Sequence, residues 1–369
     1  MSKMVFVLLF LLCHQVFAAL GMDPVPRDLL ADKSTVIEVG SMPRVRSQDT
    51  FGICYSFVAA TLLDQANCVT KGVESCSSVP DSEKNSPLDM ARYGSFLSAH
   101  SGLDSTDRFS YMGINEGGSV AVALYNALEV NATVKESCAP FDHVVAKAQS
   151  PLEVQKLEQA MWKKFRDSYE SYQKKIKECA NCGLEYATAK AQELRENYNL
   201  KTTNKDILQA FAQDTYGKFL DRLLIPEECW ESENNLTAKG KWEVKEYPQK
   251  GKKSDYASTI SQIKELLTKR RPVSVGFCAQ EKVSVKSIAE CGSIKDGSGN
   301  ISGANHAVII KGYRKVCRSA NDCYEALQIQ NSWGESWQTA NSDGWVDAKT
   351  LLDRSFYEWG ALTWLEAKQ

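Results

Sequence analysis

The sequence predicts an α+β protein in which helices and strands occupy different parts of the chain. Between residues 54 and 224 apolar side chains recur every three or four positions in several separate runs, the spacing of helices with one buried face. Beyond Lys241 the pattern gives way to short stretches at 242–244, 273–277, 307–310, 327–329 and 344–346, which read as strands. A third observation is that residues 145–238 read as a separate helical block between two parts of the chain that each hold chemistry-bearing motifs, so the block is expected to be an insertion. With 369 residues, 43% of them hydrophobic, the chain has ample material for two or three domains.

The elements follow in order. Lys3, an apolar run at 4–12 and the small Ala18 and Ala19 predict an export signal over residues 1–18. That run is too short to span a bilayer, and no later stretch reads as a membrane span. Residues 54–66 form a helix with Phe57, Val58, Leu62 and Leu63 on its apolar side. Ser86-Pro87-Leu88-Asp89 is a capped helix start, and Met90, Tyr93, Phe96 and Leu97 continue at helical spacing as core. Gly117-Gly118 precedes another helical pattern through Val120, Leu124, Ala127 and Leu128. In the inserted block, Ser150-Pro151-Leu152-Glu153 is a capping box with proline at the first helical position. Apolar residues at 154, 157, 161, 165, 169, 172, 176 and 179 then predict one amphipathic helix of about 28 residues. Gly183 is expected to break it, with a return helix through Leu184 and Tyr198 and a third from Ile207 to Leu224, stopped by Pro226. One further helix, 260–267, stands among the strands.

The chemistry centres on Gln48 to Phe57, Q-D-T-F-G-I-C-Y-S-F. Cys54 falls at the first turn of its helix, where unpaired N–H groups and the positive end of the dipole favour a thiolate. Gln48, six residues upstream, offers an amide donor of the type that holds a developing oxyanion. Far downstream come G-A-N-H-A-V-I-I-K-G-Y at 303–313 and I-Q-N-S-W-G-E-S-W at 329–337. Together these stretches resemble the signatures of the papain family of cysteine peptidases, with Gly117-Gly118 and P-V-S-V-G-F at 272–277 as further points of likeness. His306 and Asn331 stand 252 and 277 positions after Cys54, and 158 and 183 once the 94-residue block is set aside, an approximate fit to the spacing of about 130–150 that the family signature carries, with a loop of about ten residues between the two motifs adding to the second.

The resemblance implies a papain-like two-lobe fold with an inserted helical hairpin. A helical N-terminal lobe with the nucleophile would span 19–144, the insertion 145–238, and a β-barrel-like C-terminal lobe with the histidine and asparagine 239–369. It implies Cys54 as nucleophile, His306 as its base, Asn331 as the residue orienting that base, and Gln48 with the Cys54 N–H as oxyanion donors. Gly117, Gly118, Trp333 and Trp337 are expected at the substrate side, with Trp333 covering the Asn331–His306 bond; Ser119, Val120 and Ala304 are candidate pocket neighbours. Three departures stand out. Tyr55 replaces the family's usual tryptophan, Phe51 and Asn115 stand where it commonly pairs two cysteines, and Asn305 stands where many relatives carry aspartate. The resemblance also implies a long inhibitory pro-region, whereas 35 residues lie between the signal and Cys54, so either control comes from elsewhere or the enzyme is active once exported.

Twelve cysteines fit export to an oxidising compartment, secreted or periplasmic. With Cys13 leaving in the signal and Cys54 kept for chemistry, ten remain, enough for five disulfides. Expected pairs are Cys68–Cys76, Cys278–Cys291, Cys317–Cys323 and Cys138–Cys229, the last closing the insertion; Cys179 and Cys182 either pair or stay reduced. A net charge of −2 favours neither nucleic acid nor an anionic membrane as partner. The expected partner is a protein or peptide substrate, with no metal and no cofactor, and the oligomeric state stays open. Three other readings stand beside the endopeptidase: a catalytically silent papain-like binding protein, a thiol–disulfide oxidoreductase using Cys179 and Cys182, and ligase or transpeptidase chemistry on the same acyl-enzyme.

Overall fold

The computed structural model describes residues 22–32, 34–49, 51–94, 113–141, 151–236, 241–280, 285–293 and 305–368. It is α+β, and it divides into two compact units, one built on Ser47–Glu243 and the other joining the segment ending at Arg46 to Val244–Glu366. The predicted signal over 1–18, and Phe96 and Leu97 of the second predicted helix, lie outside the described residues.

The first unit is helical. Helix α1, Cys54–Thr70, is buried at nearly every position as far as Ala66, so it is the central helix around which the others pack. Helix α2, Pro87–Arg92, starts as its sequence predicts, with Ser86 Oγ accepting the Asp89 N–H and proline at the first turn. It ends at Arg92, so Tyr93 is its C-terminal cap rather than a mid-helix residue. Helix α3, Val120–Val130, is capped by Ser119 and ends on Asn131 in the left-handed conformation, which asparagine tolerates.

The insertion opens with α4, Pro151–Glu178, a helix of 28 residues as its periodicity predicts. Met161, Phe165 and Tyr169 on the apolar stripe are buried, whereas Leu157 and Ile176 are exposed, so the stripe is covered only along its middle. The expected break at Gly183 is corrected. The chain turns at Cys179, which is extended and caps α5, Ala180–Asn197; Gly183 lies inside that helix. There a Cβ would fall 2.3 Å from Ile176 Cγ2, so glycine serves close packing of the hairpin rather than its turn. The expected third helix is likewise two, α6 at Asn204–Phe211 and α7 at Tyr216–Leu224. Thr215 accepts the Lys218 N–H and starts a new helix, a local cap that apolar spacing alone does not report. At the neck of the insertion Thr133–Val134 pairs antiparallel with Asn235–Leu236, beside the Cys138–Cys229 disulfide.

The second unit is a seven-stranded antiparallel sheet. Its strands are β1 (Ile37–Glu38), β2 (Trp242–Tyr247), β3 (Val273–Cys278), β4 (Asn305–Ser319), β5 (Asp322–Gln330), β6 (Trp345–Asp347) and β7 (Leu362–Ala367). The order is β2-β7-β3-β4-β5-β6, with β1 on β4. The stretches at 242–244, 273–277, 307–310 and 327–329 each lie within one of these, whereas the stretch at 344–346 starts one residue early, since Gly344 ends the turn Ser342–Gly344 before β6; nothing in the sequence pattern marks β1 or β7. Helix α8, Tyr256–Thr268, starts at an Asp255 cap, and the short α9, Ile288–Gly292, is tied to β3 by Cys278–Cys291. Two short helices, α10 at Gly334–Ala340 and α11 at Ala348–Asp353, complete the unit. Val25, Val316, Ala326 and Trp345 form a buried apolar cluster that fixes the first described residues to the sheet.

All five disulfides are present: the four pairs the sequence suggests, and Cys179–Cys182 as a bridge at the tip of the hairpin. Among the described residues no helix is long and apolar enough to cross a membrane.

Candidate active site

The candidate residues fall into two groups, one in each unit. In the β-rich unit, His306 is the second residue of β4 and sits opposite Phe277 of β3. Asn331 follows directly on the end of β5, and its side chain lies 2.8 Å from His306 Nε2 through Oδ1. The same Oδ1 accepts the Ser332 N–H at 2.8 Å, so this atom is the carbonyl oxygen of the amide and not its nitrogen. A carbonyl oxygen only accepts, hence Nε2 of His306 carries a proton and donates it to Asn331. In the neutral ring Nδ1 is then the basic nitrogen.

The imidazole is boxed by aromatics. Trp333 stacks on it with centroids 4.8 Å apart and planes at 20°, Phe277 meets it edge-on at 5.7 Å, and Trp337 stands edge-on to Trp333 at 5.6 Å. Burial pushes the His306 pKa down to about 4, against the weaker upward pull of the Asn331 bond.

Asn331 is itself held from several sides. Its N–H donates to Gln338 Oε1 at 3.3 Å, and Gln338 Nε2 donates to the carbonyls of Ile329 at 2.5 Å and Asp343 at 2.9 Å. Gly344 has a φ of +87°, and a Cβ there would fall 2.1 Å from Gln338 Nε2, so the clamp needs glycine at that position. The first described segment closes the other side: Gln330 Nε2 donates to Pro43 O at 3.0 Å, the Gly334 N–H to Arg46 O at 3.2 Å, and Asn331 Nδ2 lies 4.0 Å from Met22 Sδ. Gln338 is the positioning residue that sequence reasoning missed. Nothing sets a glutamine on an amphipathic turn apart until its fold neighbours are known.

In the helical unit, Cys54 is the first residue of α1, is buried, and belongs to none of the five disulfides. The segment before it is a tight loop in which the Phe51 N–H donates to Gln48 O at 3.1 Å and the Ile53 N–H to Phe51 O at 2.8 Å. Gln48 is buried, and its side-chain Nε2 donates to the Phe51 carbonyl at 2.9 Å, which fixes the plane of the amide. Gly117, at φ +79°, donates its N–H to Gly52 O at 2.8 Å and so ties the Gly-Gly segment to this loop.

Tyr55 explains more of the surroundings than its neighbours do. Its hydroxyl donates toward the carbonyls of Ala91 at 2.9 Å and Asn115 at 3.0 Å, and burial raises its pKa well above the ordinary range. A Cβ on Gly94 would fall 2.0 Å from Tyr55 Cε2, and one on Gly118 would fall 2.6 Å from its Cζ. Gly118 thus has an internal packing reason besides the approach of substrate backbone expected for the pair. Ser119 is engaged as the cap of α3, and Ala304 lies outside the described residues. A cavity of about 490 Å³ in this unit, lined by Arg92, Arg222 and Trp230 among others, includes none of the candidate residues. Among the described residues no group of three or more potential ligands gathers as a metal site.

No family model matches the chain, and no curated protein does. Solved structures similar to it include the recombinant stem bromelain precursor, with 11% identity, 93% of this chain and 73% of that one covered, and a TM-score of 0.41. Digestive procathepsin L 3 of the Tenebrio molitor larval midgut gives 13% identity over 93% and 73% at a TM-score of 0.40. The Amb a 11 cysteine protease, a major ragweed pollen allergen, in its proform gives 11% over 94% and 71% at 0.42. These likenesses are shallow, and the functional reading rests on the chain's own residues.

Proposed function

We propose that the chain is an exported papain-like cysteine endopeptidase. The observation that carries the reading is the His306–Asn331 pair: a buried imidazole whose Nε2–H is committed to an amide oxygen and whose Nδ1 is therefore the basic nitrogen. In this reading Cys54 and His306 form a thiolate–imidazolium pair. The thiolate attacks the scissile carbonyl carbon, and the carbonyl oxygen becomes an anion held by the Gln48 amide and the Cys54 N–H. His306 passes its proton to the leaving amine as the C–N bond breaks, leaving a thioester on Cys54. It then takes a proton from water, whose hydroxide attacks the thioester, and returns that proton to sulfur as the acid departs. Asn331 holds the imidazole in the required tautomer, and Trp333 keeps water from their bond. Five disulfides support passage through an oxidising compartment, secreted or periplasmic.

One observation favours the silent binding protein instead. Burial holds the His306 pKa at about 4, which opposes an imidazolium unless a thiolate stands against it. The deciding experiment is incubation of the mature protein with a mixed peptide library under mild reductant, with cleaved bonds read by mass spectrometry. Cys54→Ser should abolish cleavage while leaving the melting temperature within a few degrees of wild type. Absence of cleavage by the wild type, together with no labelling of Cys54 by an epoxide inhibitor, would leave the binding reading standing.

A further inference from the structure

The loop that delivers Cys54 and Gln48 contains no cysteine, and none of the five disulfides crosses it. What grips it instead is a side chain of the insertion. Trp162, on α4, stacks face to face on Phe51 with centroids 4.0 Å apart and planes at 11°. The same indole packs on Phe141 at 6.2 Å, and Phe141 meets Phe57 edge-on at 5.1 Å. Phe51 and Phe57 stand three residues before and three residues after Cys54. One indole therefore bears, directly and through Phe141, on both flanks of the thiol. Phe51 has a second connection, since its carbonyl receives the Gln48 amide at 2.9 Å. Displacing the Phe51 ring moves the anchor of the oxyanion donor as well as the approach to the helix start.

The indole N–H of Trp162 is buried and finds no acceptor among the described residues. Leaving a buried donor unpaired is unfavourable, so hydrogen bonding does not explain tryptophan here; the flat ring face does. The neighbouring Arg166–Glu116 ion pair, at 3.5 Å and about half exposed, adds little by comparison.

We infer that Trp162 is a positioning residue for the proposed hydrolysis, and that through it the helical insertion sets the geometry of Cys54 and Gln48. This rests on the peptidase reading. Misplacing reacting groups by about 1 Å costs roughly 10²-fold in rate, so loss of the stack should appear in kcat rather than KM.

The test uses the full mature chain with Trp162→Phe, Trp162→Leu and Trp162→Ala. Each is measured for melting temperature, for kcat and KM on a fluorogenic peptide that the wild type cleaves, and for the rate of Cys54 alkylation by iodoacetamide across pH 4–9. Trp162→Phe keeps an aromatic face and drops the unpaired N–H; it should melt no lower than wild type and keep kcat within about threefold. The leucine and alanine variants should lose about 10–100-fold in kcat, with KM within about threefold and an alkylation profile shifted toward that of an ordinary thiol. A folded leucine or alanine variant with the wild-type kcat and alkylation profile overturns the inference. Failure of both to fold overturns it too, because the ring would then hold up the unit rather than tune the thiol. Wild-type Cys54 alkylating like an ordinary cysteine, with no peptide cleaved, is a failure of the peptidase reading and is seen before any variant is made.

Discussion

Replacing Asn331 with alanine removes one atom, Oδ1, on which two buried donors depend: Nε2 of His306 and the backbone N–H of Ser332, each at 2.8 Å. A buried donor left without an acceptor costs about 1–3 kcal/mol, so two cost roughly 2–6 kcal/mol, with the lower end expected where water can enter the space vacated by the amide. The catalytic effect has a separate origin. The Asn331 bond raises the proton affinity of His306 against the downward push of burial. A hydrogen bond to a charged group contributes about 1.5–3 kcal/mol, and at about 1.4 kcal/mol per decade its loss lowers turnover roughly 10- to 150-fold. Trp333 still lies on the ring, so the imidazole should stay near its place and KM should change little. The assays are kcat and KM on a fluorogenic peptide, a urea titration, and the His306 pKa by NMR, which should fall further below its ordinary value. Asn331→Asp keeps an acceptor for both donors and should raise that pKa instead, since it adds a negative charge beside the ring. A folded alanine variant with unchanged turnover and unchanged His306 titration would refute the role given to Asn331.

Three further outcomes are expected. Gln48→Ala should lower kcat by about 10²–10³, the effect of removing one oxyanion donor, with KM little altered; a large KM change at constant kcat would make Gln48 a ground-state binding residue. In a Cys54→Ala background His306 should behave as a buried neutral imidazole whose pKa, about 4, lies below the 6.5 of the unfolded chain. The unfolded state then binds more protons between those values, so the stabilisation is complete above pH 6.5. It is lost as pH falls toward 4, by about 3 kcal/mol relative to Cys54→Ala/His306→Gln; equal pH dependence in the two proteins would contradict this. Replacing both Cys138 and Cys229 with serine opens a loop closed across a sequence separation of 91 and should cost about 2–5 kcal/mol by urea titration. No measurable loss would mean that the short ladder at the neck suffices alone.

What could be read in advance was whatever depends on near neighbours. The Ser86 cap, the three-to-four-residue apolar period that runs the 28 residues of α4 and the placement of Cys54 at a helix start are all set within a few residues of sequence, and the structure has them at those positions. His306 and Asn331 were legible as motif residues, and the Nε2–Oδ1 bond joins them. The failures have a common physical cause. Gly183 looked like a helix breaker because its propensity is local, whereas its reason for being glycine is Ile176 on the facing helix. The stop between α6 and α7 came from the Thr215 side chain, a polar signal hidden inside an apolar rhythm. Gln338 and Trp162 were invisible because each acts on a partner that only the fold brings near: Gln338 on an amide seven residues away across a turn, Trp162 on a ring more than a hundred residues upstream.

The neck of the insertion decides which parts of this chain can be lengthened without re-routing the rest. Thr133–Val134 and Asn235–Leu236 lie side by side, and the Cys138–Cys229 bridge closes the same place. The chain therefore departs and returns through one doorway, and the remainder of the unit is threaded identically whether the excursion is long or short. Whole helical turns added to both arms, between the neck and the Cys179–Cys182 bridge at the tip, would lengthen the hairpin without re-routing anything behind the doorway. The tip is thus a natural graft point for foreign cargo, while the stretch near Trp162 is not.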